Sequence, residues 1–339
     1  MKLFLIILSL FPFVSFSQLG GRGVYDFQNI SYSAYSTSTG GQLLSDGSND
    51  LQLIGQNPAL LINDSIGEFS MNYTNYIADI NGSQLLYNLK KVKGGNLAFG
   101  LTYLNYGSFI EANAGGIQTG TFSANDFAFS SYYARFLDKD SLYSLGAEGR
   151  IMFSQLESYL SLGMALDLGF NFFNKETEFG YALVVENVGY QLIKYADTRE
   201  LVNPRIHIGL RKGLAHAPFD FVITAHDLQK PNLNYTDIID QENTIDPLSG
   251  ETIETSTNYS DLIMRHINLG VIFNPIKNFN VRFGYNYQRQ RELRLLSKTG
   301  GAGFTFGIGI KIKEFYIDYG QGKYSAAGTN NQFTITRKF

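Results

Sequence analysis

Cysteine and tryptophan are absent from this chain of 339 residues, and only 7 prolines occur. The absence of cysteine excludes a lipid-anchored lipoprotein, a disulfide scaffold and a cysteine-ligated metal site. The net charge is only −3, and no block of basic residues indicates binding to nucleic acid.

A long apolar run is also missing. The apolar stretch Leu3 to Val14 is shorter than the roughly 20 residues that a helix needs to cross a bilayer. Lys2 precedes it and the small residues Ser15 and Ser17 follow it, which predicts a secretory signal peptide over residues 1–17. An exported chain of this kind could be an array of soluble β-sandwiches or an outer-membrane β-barrel.

Alternation of apolar and polar residues favours the barrel. The period of two persists over about ten residues, which is the length of a tilted membrane-spanning strand and exceeds the five or six residues common in soluble sheets. Clear examples lie at 97–103, 164–172, 279–287 and 304–312. Many glycines and aromatic residues (Gly 35, Tyr 22, Phe 27) suit such closely packed strands.

The pattern yields fourteen candidate strands, an even number, as expected for a single-chain bacterial barrel. They lie near 67–79, 83–93, 95–106, 125–137, 140–154, 157–173, 177–190, 204–212, 217–228, 263–275, 278–290, 301–312, 314–325 and 331–339. The predicted fold is therefore all-β: a 14-stranded antiparallel transmembrane β-barrel, residues 67–339, with an N-terminal plug over residues 18–66. The last strand carries Phe333 and Phe339 on one face, which is typical of a C-terminal barrel-assembly signal.

The lengths of the connections indicate orientation. Links after even-numbered strands are short, whereas 107–124, 191–203, 229–262 and 291–300 are longer. Short periplasmic turns and long external loops are usual in outer-membrane barrels, so these long links are predicted to face outward. Three of them, 107–124, 191–203 and 229–262, are predicted to bind a partner protein. The longest is acidic and contains Asp237, Asp240, Glu242, Asp246, Glu251 and Glu254.

Several motifs resemble known outer-membrane proteins. Gly40-Gly41-Gln42-Leu43-Leu44, followed by a polar stretch and by Asn57-Pro58-Ala59, is similar to the plug of FadL-type barrels. Further strings resemble the PorQ family of the type IX secretion system, which is related to PorV. They include Tyr106-Gly107-Ser108-Phe109, Ala225-His226-Asp227-Leu228-Gln229, Gly284-Tyr285-Asn286-Tyr287 and Gly301-Ala302-Gly303-Phe304.

That resemblance implies a role without chemistry or cofactor. Such subunits sit in the outer membrane of Bacteroidetes and anchor a PorZ-like surface protein near a PorU/PorV-like sortase complex, which joins cargo to lipopolysaccharide. The alternative is a FadL-type channel for hydrophobic solutes, which requires an apolar pocket reached through the plug and a lateral opening in the wall. A basic loop containing Arg289, Arg291, Arg294 and Lys298 could contact lipopolysaccharide phosphates or simply be solvated.

Catalytic motifs do not support an enzyme. Lys298-Thr299-Gly300 and Ser256-Thr257-Asn258 match two short elements of penicillin-recognising enzymes, but no serine lies three residues before any lysine. Neither a Gly-x-Ser-x-Gly elbow nor a His-Glu-x-x-His motif occurs. His207, His226 and His266 are predicted to face inward, where polar residues are expected in any barrel; an outer-membrane hydrolase has no other support.

Inward charges are predicted to balance each other in a closed lumen, because a single buried charge is costly. The basic members are Arg205, Arg211, Arg282 and Lys311, and the acidic members are Asp167, Glu186, Asp220 and Asp318. A solute pathway could use the same charges.

Overall fold

The computed structural model describes residues 23–48, 50–62, 67–92, 94–200, 202–233, 259–292, 301–323 and 328–338. The predicted signal peptide, the acidic residues Asp237, Asp240, Glu242, Asp246, Glu251 and Glu254, and the terminal Phe339 lie outside these residues.

Fourteen antiparallel strands form one closed barrel, in which each strand pairs with its sequence neighbours and β1 pairs with β14. This confirms the predicted fold. The strands are β1 (Phe69–Asn75), β2 (Asn81–Val92), β3 (Gly95–Ala112), β4 (Gln118–Phe136), β5 (Tyr143–Leu156), β6 (Tyr159–Asn174), β7 (Phe179–Ile193), β8 (Arg205–Gly213), β9 (Phe219–Ala225), β10 (Ile267–Ile276), β11 (Phe279–Asn286), β12 (Phe304–Ile312), β13 (Phe315–Gly322) and β14 (Asn330–Arg337).

The two faces of the wall differ as alternation requires. Outward side chains such as Leu101, Phe129 and Ile151 are large, apolar and exposed, which suits contact with lipid. Aromatic pairs lie near the strand ends, with ring centroids 4.8 Å apart for Phe172–Tyr181. Phe333, in the predicted assembly signal, is exposed on this outer face and lies opposite Tyr73 of β1.

Helices in the described residues are short. They are α1 (Ala34–Ser38), α2 (Tyr259–Arg265) and α3 (Tyr287–Glu292). Within the described part of the chain, none of them is both long and apolar enough to span a bilayer.

The segment 107–124 was predicted to be a loop, but most of it is strand. Strands β3 and β4 continue together beyond their neighbours, because β2 pairs with β3 only as far as Asn105 and β5 pairs with β4 only from Ala124. We call the paired residues Ser108–Ala112 and Gln118–Ser123 the ribbon. A bulge after Asn105, with Gly107 at a φ of 82°, interrupts the alternation of apolar and polar residues. The sequence pattern therefore does not predict the ribbon.

Two predicted strands are shorter than expected, because helices replace their outer ends. Strand β10 begins at Ile267, after α2, and β11 ends at Asn286, before α3. Asp261 of α2 holds the two helices together: it accepts hydrogen bonds from Arg265 (2.8 Å) and the Tyr287 hydroxyl (2.7 Å), and it pairs with Arg291 (2.9 Å). Side chains, rather than a sheet ladder, therefore organise this part of the outer end.

The contact that Asp261 makes between α2 and α3 should depend on pH. Burial alone would raise the pKa of Asp261, but hydrogen bonds from Arg265 and Tyr287 and the nearby arginines hold the pKa below its usual range. A carboxyl group whose pKa is lower in the folded than in the unfolded protein stabilises the fold at pH values above its unfolded-state pKa, which is about 4. This stabilisation is lost as the pH falls through the folded-state pKa. We expect faster amide exchange in α2 and α3 below about pH 4, after correction for intrinsic rates. Asp261→Asn should produce the same change at pH 7, whereas Asp140→Asn, in an exposed turn, should not.

Candidate functional site

The N-terminal residues 23–62 fill the lumen, and we call them the plug. Ser33 caps α1 by accepting a hydrogen bond from the Ser36 amide, and Asn57 caps a 3-10 turn at Pro58–Leu60 in the same way. The Asn57 side chain also donates to the carbonyl of Leu44, at 2.7 Å, so it ties two parts of the plug together. The Asn57-Pro58-Ala59 motif thus shapes the plug where it meets β5 and β6.

Inward glycines let the plug approach the wall. A Cβ at Gly146 of β5 would lie 2.3 Å from the Ala59 nitrogen, and one at Gly284 of β11 would lie 2.1 Å from the Gly40 nitrogen. Backbone therefore packs directly on backbone at both points, and no space for a solute remains between them.

Four arginines of the wall bind acids of the wall and also contact the plug. Arg150 pairs with Asp167 and with Glu148 (3.1 Å), Arg205 with Asp227 (2.8 Å) and Glu186 (3.9 Å), Arg211 with Asp220 (2.6 Å), and Arg282 with Asp318. Their plug partners are Gln28, Asn29, Asp46 and the Tyr35 ring, respectively. Each arginine thus fixes the plug to the barrel.

The predicted lumen charges are distributed among these clusters, with one exception. Lys311 lies near the short turn between β12 and β13, its ammonium 4.9 Å from the centre of the Tyr316 ring, and it forms no ion pair within the described residues. The sequence reasoning missed Arg150, Glu148, Asp227 and Asp46. Arg150 and Glu148 could have been found, because they alternate with outward residues such as Leu145 and Ile151 of β5.

Three histidines are buried at the outer end of β8–β10. The side chain of His207 contacts Glu186 at 3.2 Å, and Nδ1 of His226 lies 3.0 Å from Asp227. Burial would raise the pKa of Asp227, but hydrogen bonds from His226 and Arg205 hold the pKa far below its usual range. Across the described residues, no cluster of three metal-ligating side chains is present.

Two cavities bear on transport. Inside the lumen, a polar chamber of about 100 Å³ lies between the plug and the wall and is lined by Arg150, Arg205 and Asn268 among others. A larger cavity of about 500 Å³, which we call the outer cavity, opens at the outer mouth beside Tyr25 and Tyr106. The interior chamber is small and charged, so it does not suit a hydrophobic solute.

Comparison with known proteins adds a fold relationship. No protein-family model and no curated protein matches the chain. A TodX deltaS2S3 mutant, described as a monoaromatic hydrocarbon channel, is similar with a TM-score of 0.54 and 13% identity over 93% of this chain and 100% of that one. The CymD monoaromatic hydrocarbon channel gives a TM-score of 0.51 and 12% identity over 92% and 98%.

The chain shares the barrel fold of these channels. A Pseudomonas aeruginosa FadL homologue matches more weakly, with a TM-score of 0.45 and 10% identity over 90% of this chain and 98% of that one. Because all these identities are low, the similarity concerns the fold alone.

Proposed function

We propose that this protein is a non-enzymatic outer-membrane barrel that holds a partner protein at the cell surface, as a PorQ-like subunit of a type IX secretion attachment complex. The partners proposed are a PorZ-like surface protein and a PorU/PorV-like sortase complex, with lipopolysaccharide around the barrel. The observation that carries the proposal is the braced lumen, in which four buried or half-buried arginines contact both the wall and the plug.

The ribbon supports this role because it offers a surface for docking. It projects beyond the neighbouring strands, and Phe109 and Ile110 on it are exposed. Phe109 stacks on Phe122 at 5.2 Å, which stiffens the hairpin. Exposed apolar side chains on a two-stranded ribbon with unpaired outer edges are typical of a site for a protein partner.

The second candidate is a FadL-type channel for hydrophobic solutes. The comparisons, taken alone, favour it, since the solved structures with this fold include hydrocarbon channels. The outer cavity, which is lined in part by Leu156 and by tyrosine rings, also offers an entry point for such a solute. The braced plug opposes it, because a solute entering there meets buried ion pairs rather than an apolar path.

Shortening the ribbon separates the two functions. We replace residues 109–122 by Asn-Gly, which can close a hairpin between the paired Ser108 and Ser123. As a scaffold, the variant should keep heat-modifiable migration but lose at least about 90% of surface-protein attachment, the effect expected when a docking element is removed. The control replaces only residues 113–117 by Asn-Gly and keeps the ribbon.

Affinity purification from the native outer membrane completes the test. In mild detergent, the tagged full-length barrel should co-purify a large exported β-rich surface protein and a sortase-like peptidase, and the shortened variant should not. Unchanged attachment with altered fatty-acid uptake would reject the scaffold in favour of the channel.

A further inference from the structure

The outer cavity has an aromatic wall. Tyr25 of the plug, Tyr106 of β3, Tyr159 of β6 and Tyr195, which follows β7, line it together with Leu156. The cavity encloses about 500 Å³ and opens at the mouth of the barrel. The faces of tyrosine rings attract cations, and their edges pack against apolar groups.

The charges around the cavity all have one sign. Asp26, Asp126 and Glu200 contribute carboxylates, whereas no lysine, arginine or histidine occurs among the described residues that line it. Asp126 is 4% exposed and accepts hydrogen bonds from two neutral hydroxyls, Tyr106 at 2.6 Å and Ser154. In the described residues no cation reaches Asp126, unlike Asp167, Asp220 and Asp318, each of which meets an arginine.

Within the part of the chain that the structure describes, Asp126 therefore has no counter-charge. A buried carboxylate is costly without a cation, and hydroxyl donors offset only part of that cost. A neutral apolar solute would fill the cavity but leave Asp126 without a charged partner. An anion would be repelled by all three carboxylates.

We propose that the outer cavity binds an organic cation: an ammonium or guanidinium group on an apolar stem. The charged group would lie beside Asp126 and Glu200, with the stem against the tyrosine rings. The side chain of a lysine or arginine from a partner protein has this chemistry, and so does a free amine. The inference does not depend on whether the barrel is a scaffold or a channel.

The test compares a cation with its neutral isostere. We would measure binding of benzamidine and of benzamide to the full-length barrel in detergent by titration calorimetry. Benzamidine should bind about ten-fold more tightly, as expected for one charge-assisted hydrogen bond. Asp126→Asn should remove this difference in affinity. If Asp126→Asn does not fold, Glu200→Gln, at an exposed position, provides a second test and should reduce the difference. Asp140→Asn, at the opposite end of the barrel, is the control and should leave it unchanged.

Two further arms complete the design. Arg22→Ala removes the basic residue closest in sequence to the described part of the plug, so that it cannot compete with the probe. An arginine-containing pentapeptide that binds more tightly than benzamidine would identify a protein side chain as the source of the cation, and equal affinity would identify a free amine. Equal binding of benzamide and benzamidine, or no binding of benzamidine by both the wild-type and the Arg22→Ala barrel, would overturn the proposal.

Discussion

Replacing Arg282 by leucine should destabilise the barrel by about 3–5 kcal/mol, because it leaves the buried carboxylate of Asp318 without its cation. Arg282 is fully buried, and its guanidinium lies 4.4 Å from the centre of the Tyr35 ring of the plug. Asp318 also accepts a hydrogen bond from Gln52 of the plug, at 2.9 Å. The substitution therefore removes the contact of Arg282 with Tyr35 and leaves Asp318, which binds Gln52 of the plug, without its cation.

The reciprocal change provides the decisive comparison. Asp318→Asn keeps an acceptor for Gln52 but leaves Arg282 charged and unpaired, so it should also be strongly destabilising. The double variant Arg282→Leu/Asp318→Asn removes both charges of the pair, and it should regain most of the loss, since neutral replacements of a buried ion pair are often well tolerated.

The free energy of unfolding should be measured by urea titration of the barrel in phospholipid vesicles. Arg135→Leu, at an exposed position of β4, serves as the control and should change it by less than about 0.5 kcal/mol. A loss below about 1 kcal/mol in both single variants would contradict a bracing role for the pair. A double variant as unstable as the single ones would show that packing of the long arginine side chain matters more than its charge.

Alternation predicted much of the wall from the sequence, because a strand's period of two assigns each residue to the lipid or the lumen. Phe283 and Arg282 were placed on opposite faces in this way, as the structure shows. The pairing of Arg282 with Asp318 could not be predicted so directly. The two residues lie on β11 and β13, and the intervening strand β12 contributes Gly309, where a Cβ would lie 2.5 Å from Asp318 and 2.7 Å from Arg282.

The contacts of the plug could not be predicted from the sequence either. The Asn57-Pro58-Ala59 motif indicated a plug through resemblance, but nothing in it identifies Leu44 as the partner of Asn57 or β5 as the adjacent wall. The contact with β5 joins residues far apart in the chain, and both contacts depend on the path of a segment without periodic structure. The ribbon was missed for a local reason, since the bulge at Gly107 shifts the alternation on which the prediction depended.

The second large effect concerns Gly146, where the plug touches the wall. In Gly146→Leu the new side chain would begin 2.3 Å from Ala59 and from the carbonyl carbon of Pro58, so plug and wall must separate. Overpacking of this kind typically costs about 1–3 kcal/mol, and here the obstacle is backbone on both sides. We expect the lumen to open: the variant should conduct ions in planar bilayers and expose the plug to protease, whereas the wild-type barrel should do neither.

Gly149 of the same strand is a matched control, because a Cβ there would meet only the Ser131 hydroxyl, at 3.6 Å, on the lipid side. Gly149→Leu should fold, remain closed and resist protease. An intact barrel with a displaced plug would confirm that the close contact at Gly146 keeps the lumen closed. A variant that loses heat-modifiable migration altogether would show that wall and plug fold as one unit. A closed barrel of unchanged stability would contradict the close contact itself.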